Sequence, residues 1–299
     1  MQRTIQWAFP SVLMLALLGC GGDGPASNGT TGGADTLDTV VEQRTSDVMK
    51  VGGRLFNVPS PVQTALLFRK LGLAYDKALM LPVDQVDKLA GRNGKALAMG
   101  MFGADLAYAT IHKDGTKAIA GLGVIERLST ELEVSNAFGA DLVDRFKKNV
   151  ANEDSLLALN GMAFRAADTY LQDNGRNTVS VLVLTGGWVE SLYLTVNAAA
   201  GKNDQAISTR VGEQKRTLDD LVKVLEQAQD SSLATVVTEL KALQQAYAGV
   251  TTSYTYEKPV TDPKTKTTHI NSKSAVTVTP EQMKAIAAQV NRMRNLILA

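Results

Sequence analysis

Hydrophobic residues recur with helical spacing over most of the chain between residues 61 and 249. Apolar side chains three or four residues apart predict amphipathic helices. The segments with this spacing are 93–112, 116–133, 137–149, 153–174, 177–200, 205–229 and 232–248, preceded by a helix that starts at Pro61. Short polar breaks separate them and no strand alternates with a helix, so the pattern predicts antiparallel packing of the helices.

Charge distinguishes the inner helices from an outer one. The segments 96–111 and 179–199 carry few charged residues, which predicts that they are the central and most buried helices. The segment 205–229 has charged residues along one face. We expect it to be an outer helix with a solvated face, and a partner-binding helix is the alternative.

After Val250 the pattern becomes strand-like. Thr251–Tyr256 is rich in Thr and Tyr, and Ala275–Thr279 alternates Val and Thr, which predicts a β-hairpin over about 251–279. A capping box with proline at the first helical position, Thr279-Pro280-Glu281-Gln282, then begins a final helix over about 280–298. The expected fold class is all-α, an antiparallel multi-helix bundle with a β-hairpin inserted before the C-terminal helix.

The N-terminus has the pattern of a bacterial lipoprotein signal peptide. Arg3 precedes an apolar run over 7–18, which is shorter than the roughly 20 residues a membrane span needs. The sequence Leu17-Leu18-Gly19-Cys20 resembles a lipobox. That resemblance implies cleavage before Cys20, a diacylglycerol thioether on its sulfur and acylation of its amino group, for example by palmitate. An ordinary signal peptide with a cysteine nearby is the alternative.

This assignment divides the chain into three parts. Residues 1–19 are the expected signal peptide, residues 20–36 the lipidated cysteine with a flexible Gly/Ser/Thr/Asn-rich tether, and residues 37–299 a single helical domain. Several acyl chains on one residue would hold the protein stably on a membrane. The expected location is therefore the cell envelope.

Composition excludes several classes of function. The 299 residues are 44% apolar and 20% charged, which is a globular profile, and 31 Lys+Arg against 30 Asp+Glu give a net charge of +1. A nearly neutral chain lacks the basic footprint of a nucleic-acid-binding protein. The chain has only two histidines and one cysteine, which nearly excludes a His/Cys metal cage, a disulfide framework or a Cys-His nucleophile by count. We therefore expect no metal, no cofactor and no partner nucleic acid.

Two acidic residues stand out because their helices are otherwise almost uncharged. Asp105 and Glu190 each follow glycines and are each followed three residues later by a tyrosine, Tyr108 and Tyr193. With Trp188 they could line a pocket between the two central helices, where paired carboxylates would hold a small cation. The alternative is structural: each acid is paired with an arginine, a tyrosine hydroxyl or a free backbone N–H, and the glycines permit close helix packing.

Five segments resemble a set of mostly helical lipoproteins of the Bacteroidota that has no assigned activity. They are SPVQTALLFRKLG (60–72), GADLAYATI (103–111), LTGGWVESLYL (184–194), EQKRTLDDL (213–221) and INSK (270–273). The resemblance implies an anchor in the outer membrane, with the domain facing either the periplasm or the outside. It implies no catalytic mechanism.

The expected function is that of a non-enzymatic binding or structural module of the cell envelope, with an envelope protein as a candidate partner. A sensor or carrier of a small cationic ligand at the Asp105 and Glu190 pocket is the alternative. An enzyme ranks below both, because no nucleophile, base and orienting residue form a set and the sequence lacks the GxSxG, P-loop and HExxH motifs.

Overall fold

A computed structural model describes residues 48–51, 54–57, 61–138, 142–149, 152–201, 204–264, 266–269 and 271–299. The predicted signal peptide, Cys20 and the tether lie outside the described residues. The helices are α1 (Pro61–Leu71), α2 (Gly91–Ile111), α3 (Gly115–Glu131), α4 (Leu142–Lys148), α5 (Glu153–Asp173), α6 (Asn177–Ala198), α7 (Gln205–Gln227), α8 (Ala234–Ala246) and α9 (Pro280–Ile297). The described chain is thus mainly helical, as the hydrophobic pattern predicts.

Helices α2 and α6 form the centre of the bundle. Every residue of α2 from Ala96 to Ile111 is buried, and α6 is buried over most of its length. The two helices cross closely at Gly100 and Gly186, where a Cβ atom would overlap a carbonyl oxygen of the facing helix. The glycines therefore permit backbone-to-backbone approach at the place where both helices carry an acidic residue.

The other helices pack around this pair. Helix α7 buries an apolar stripe that includes Val211, Leu218 and Leu225 and exposes Glu213 and Arg216, as expected for an outer helix. Helix α9 begins with the predicted capping box: Thr279 accepts from the Gln282 N–H, and the Gln282 side chain accepts from the Thr279 N–H. Buried residues of α9, Ile286 and Val290 among them, pack it back onto the bundle.

One predicted helix is shorter than its hydrophobic pattern indicates. In place of a helix over 137–149, the chain forms a short 3-10 turn at Ser135–Ala137 and then α4, which spans only Leu142–Lys148. Its buried residue, Phe146, faces α5, and Leu142 and Val143 pack on the core. A 7-residue helix has few internal hydrogen bonds, so its position depends on this tertiary packing.

The described strands form three antiparallel pairs. Strands β1 (Val48–Val51) and β2 (Arg54–Asn57) form a pair that the sequence did not predict. The predicted hairpin is present as β3 (Thr251–Thr255) with β6 (Lys273–Thr277), and it continues outward as β4 (Val260–Asp262) with β5 (Thr267–His269). Its base packs on the bundle, where Val276 and Val278 lie over Gly212 of α7. Tyr254 is 66% exposed farther out.

Candidate functional site

Asp105 of α2 and Glu190 of α6 meet inside the bundle. They are 1% and 0% exposed, and each affects the pKa of the other. The glycines at the crossing of α2 and α6 permit the close helix contact that brings these two acids together. Two neighbouring buried carboxyl groups titrate as a pair, so their protonation depends on what surrounds them.

Arg294 of α9 fills the space beside Glu190. Its Nε donates to both carboxylate oxygens at 3.0 and 2.8 Å, and its second terminal nitrogen donates to Glu190 Oε1 at 3.0 Å. The same nitrogen also donates to the Leu79 carbonyl at 3.0 Å, while the guanidinium lies 3.9 Å above the ring of Tyr193. The protein therefore supplies its own cation to the site, with the bidentate and stacked contacts that suit arginine.

The surroundings of Asp105 favour its neutral form. Burial, followed by the negative charge of Glu190, raises the pKa of Asp105 well above its ordinary value, although the Leu81 N–H donates to Oδ2 at 2.6 Å. Burial also raises the pKa of Glu190, and Arg294 opposes that rise. With Asp105 protonated and Glu190 paired with Arg294, the group of these three residues is neutral as a whole.

Tyr193 joins this group, whereas Tyr108 and Trp188 lie elsewhere. The Tyr108 hydroxyl accepts from the Asp76 N–H at 3.0 Å, and its ring packs against Phe68. The indole N–H of Trp188 donates to Gln214 Oε1 of α7 at 3.0 Å. Of the five residues predicted for the pocket, the structure thus brings together Asp105, Glu190 and Tyr193.

Arg294 is not among the residues that the sequence predicts for this site. A signal was present: Arg294 lies four residues after Val290 and three before Ile297, so it falls within the apolar stripe of the final helix. A lone arginine in such a stripe predicts a buried partner of opposite charge. Sequence spacing could not show that this partner would be Glu190, which is 104 residues away.

Arg294 fills the side of Glu190 where a cation would bind, and Asp105 Oδ1 is a buried oxygen without a donor among the described residues. This group of three residues does not line the cavity of about 360 Å³ or the one of about 250 Å³ elsewhere in the bundle. In the described part of the chain, no three His, Cys, Asp or Glu side chains are grouped to hold a metal ion. The arrangement ties α2, α6 and α9 together, which is the structural alternative set out above.

The cavity of about 360 Å³ lies between α2, α3, α4 and α5, with Val183 of α6 completing its wall. Its walls are mostly apolar and include Met99, Leu106, Leu122, Phe146, Phe164 and Val183. The polar residues among its lining include Asn160, which is buried, and Glu126, Asp144 and Lys147, which are exposed at the rim. This size and this apolar lining with few polar groups are typical of sites that bind small molecules.

Neither a protein-family model, nor a curated protein, nor a solved structure matches the chain. The lipid anchor at Cys20 and the resemblance to lipoproteins of the Bacteroidota therefore stay predictions.

Proposed function

We propose that this protein is a lipid-anchored, non-enzymatic binding module of the cell envelope that holds a small apolar ligand in the cavity between α2, α3, α4 and α5. The observation that carries the proposal is the cavity itself, about 360 Å³ with mostly apolar walls. The cavity opens to solvent between exposed residues of α3 and α4, among them Glu126 and Asp144, so a small molecule can reach it. A space of this size beneath the short helix α4 is therefore a candidate binding site.

The alternative, a small cationic ligand between the central helices, has less support. Arg294 already occupies the side of Glu190 where a cation would bind, and Asp105 accepts from the Leu81 N–H and faces Glu190. A cationic ligand would have to displace a buried guanidinium that makes several hydrogen bonds. The apolar cavity requires no such displacement.

Photoaffinity labelling tests this proposal in the full mature protein held in lipid nanodiscs. The probe is decane that carries a diazirine, which inserts into neighbouring residues on illumination, and peptide mass spectrometry maps the products. We expect labelling to concentrate in residues 122–147 and 160–167, and an excess of unmodified decane to suppress it. Because modified residues are mapped, probe dissolved in the lipid does not obscure the result.

Ala163→Trp supplies the critical comparison, because Ala163 lines the cavity and the indole would fill it. Thr169→Trp is the matched control, since Thr169 is an exposed residue of the same helix. Labelling should be lost in Ala163→Trp and retained in Thr169→Trp, with circular dichroism confirming that both fold. Equal labelling in both variants, or labelling spread over the outer helices, would show that the cavity is not the binding site.

A further inference from the structure

Asn160 is a buried polar residue in the wall of the cavity, and it is only 2% exposed. Its amide nitrogen donates to the Gly103 carbonyl at 3.1 Å. Because a carbonyl can only accept, the nitrogen must be the atom that faces Gly103, which leaves Oδ1 as the other end of the amide. Among the residues that the structure describes, none donates a hydrogen bond to this oxygen.

An acceptor that has no donor in the protein is normally paired with water or with a ligand. The hydroxyl groups of the cavity wall are already paired within the protein. The Ser129 hydroxyl donates to the Glu126 carbonyl at 2.7 Å, and the Thr130 hydroxyl donates to the same carbonyl at 3.2 Å. The oxygen of Asn160 is therefore the polar atom of the inner cavity wall that has no donor among the described residues and can orient a ligand.

The charges at the rim select among possible head groups. Glu126 and Asp144 are acidic and Lys147 is basic, which gives the rim a net charge of −1. An anionic head group would meet this charge and an amide oxygen that can only accept. A neutral head group that donates a hydrogen bond meets neither obstacle.

The volume limits the size of the ligand. An apolar cavity of about 150 Å³ holds one benzene molecule. A cavity of about 360 Å³ is more than twice as large and accommodates roughly fourteen non-hydrogen atoms if filled similarly. An unbranched chain of about ten carbons with one polar end fits within this limit.

We infer that the cavity binds an unbranched amphiphile whose neutral head group, a hydroxyl or a primary amide, donates a hydrogen bond to Asn160 Oδ1 while its chain lies against the apolar walls. The inference rests on the proposed function, because it names the ligand class of the same cavity. Asn160 is then the residue that determines the preference for a hydrogen-bonding head group over a plain hydrocarbon.

Competition in the labelling experiment tests this inference. The diazirine probe is displaced from the full mature protein in nanodiscs by 1-decanol, decane or decanoate, first with the native chain and then with Asn160→Leu. Leucine has nearly the same shape as asparagine but cannot accept a hydrogen bond. Since both proteins sit in the same lipid, the partition of each competitor into the bilayer cancels when the two proteins are compared.

In each protein we compare the concentrations of decane and of decanol that displace half of the probe. We expect the ratio of decane to decanol to be about two- to tenfold higher in the native protein than in Asn160→Leu, the range of one neutral hydrogen bond. Decanoate should compete less well than decanol. Displacement by decane in Asn160→Leu shows that the variant folds and keeps its cavity.

The outcomes separate the two proposals. The same decanol-to-decane ratio in both proteins would overturn the inference, because water rather than ligand would then satisfy Asn160, yet the cavity would remain a binding site. Decanoate as the best competitor would also overturn it, in favour of a contact with Lys147. Failure of every competitor to suppress labelling would instead overturn the proposed function.

Discussion

At the scale of single residues, the main feature is a neutral group assembled from three ionisable side chains. Burial and the charge of Glu190 raise the pKa of Asp105 and favour its protonated form, while Arg294 pairs with Glu190 inside the bundle. Glu190 and Arg294 are tolerated there because each pairs with the other, since an unpaired buried charge is strongly destabilising. The three residues should therefore respond very differently to substitution.

Replacing Arg294 with methionine should destabilise the protein by about 3–5 kcal/mol, because Glu190 would be left buried without its partner. Adding Glu190→Gln should restore part of that loss. The matched control is Arg92→Met, because Arg92 is 52% exposed and pairs with Glu133, which is 79% exposed, so it should cost less than about 1 kcal/mol. Urea unfolding measures all four proteins, and equal losses in the two single variants would contradict burial of the Arg294 pair.

Replacing Asp105 with asparagine should make the protein progressively more stable than the native chain as pH rises above 4. The pKa of Asp105 is raised from its ordinary value of 3.8 by burial, so above that pH the folded state binds more protons than the unfolded state. The stability of the native chain then falls with rising pH, by up to about 1.4 kcal/mol per unit. Asparagine cannot titrate and escapes this loss.

Urea unfolding of both proteins between pH 4 and pH 8 measures the effect. The difference in free energy of unfolding between Asp105→Asn and the native chain reports the titration of Asp105 together with its effect on Glu190, since the other titrating residues are common to both. A difference that stays constant with pH, or that falls, would show that Asp105 is ionised in the folded protein.

At the scale of secondary-structure elements, the crossing of α2 and α6 determines where the acids meet. A Cβ atom on Gly100 would overlap the Val183 carbonyl oxygen, and one on Gly186 would overlap that of Leu97. Both obstacles are backbone atoms, which cannot rotate away as a side chain can. The two helices would have to separate, and Asp105 and Glu190 with them.

Gly100→Ala should therefore destabilise the protein by about 1–3 kcal/mol or more through overpacking. Gly123→Ala is the matched control, because no atom lies within 4 Å of a Cβ built there in α3. It should stabilise the protein by about 0.5–1 kcal/mol, since alanine favours a helix more than glycine does. Thermal unfolding distinguishes the two, and a Gly100→Ala variant as stable as Gly123→Ala would disprove the close crossing.

Comparison of the predicted and observed elements shows which of them hydrophobic periodicity can predict. Periodicity predicted α2, α5, α6 and α9 to within a few residues, because each is long and has either a continuous apolar stripe or a clear cap. It overestimated the segment at 137–149 and did not indicate β1 and β2, which are 4 residues each. Short elements carry too few side chains for a period to be visible.

At the scale of the whole molecule, α6 has the length and composition of a membrane span but the surroundings of a core helix. Its most apolar window has a mean hydropathy of 1.5, and 89% of that window is buried inside the bundle. A core helix enclosed on all sides is apolar for the same reason as a membrane helix, because both avoid water. The predicted attachment to the membrane rests on Cys20 instead.

Cys20→Ser should abolish incorporation of an alkyne-bearing palmitate analogue in cells, because serine provides no thiol for the diacylglycerol thioether. The signal peptide should also stay uncleaved, which mass spectrometry of the purified chain would show. Ser27→Ala in the tether is the control and should be labelled and processed like the native chain. Normal labelling of Cys20→Ser would contradict the lipobox prediction.

The sequence by itself determined the helical class, the order and approximate bounds of the long elements, the hairpin before the last helix and the buried character of α2 and α6. These follow from local periodicity, capping and charge, which are properties of neighbouring residues. It also singled out Asp105 and Glu190, because charge is conspicuous in an apolar helix.

Only the tertiary structure decided what those acids contact and where space remains. Arg294 reaches Glu190 across 104 residues and Leu79 across 215, and Trp188 and Tyr108 turn to separate neighbours although they share helices with the acids. The cavity beside Asn160 is a gap between four helices, so no single segment encodes it. Packing is a property of pairs of distant surfaces, and periodicity within one segment carries no information about its partner.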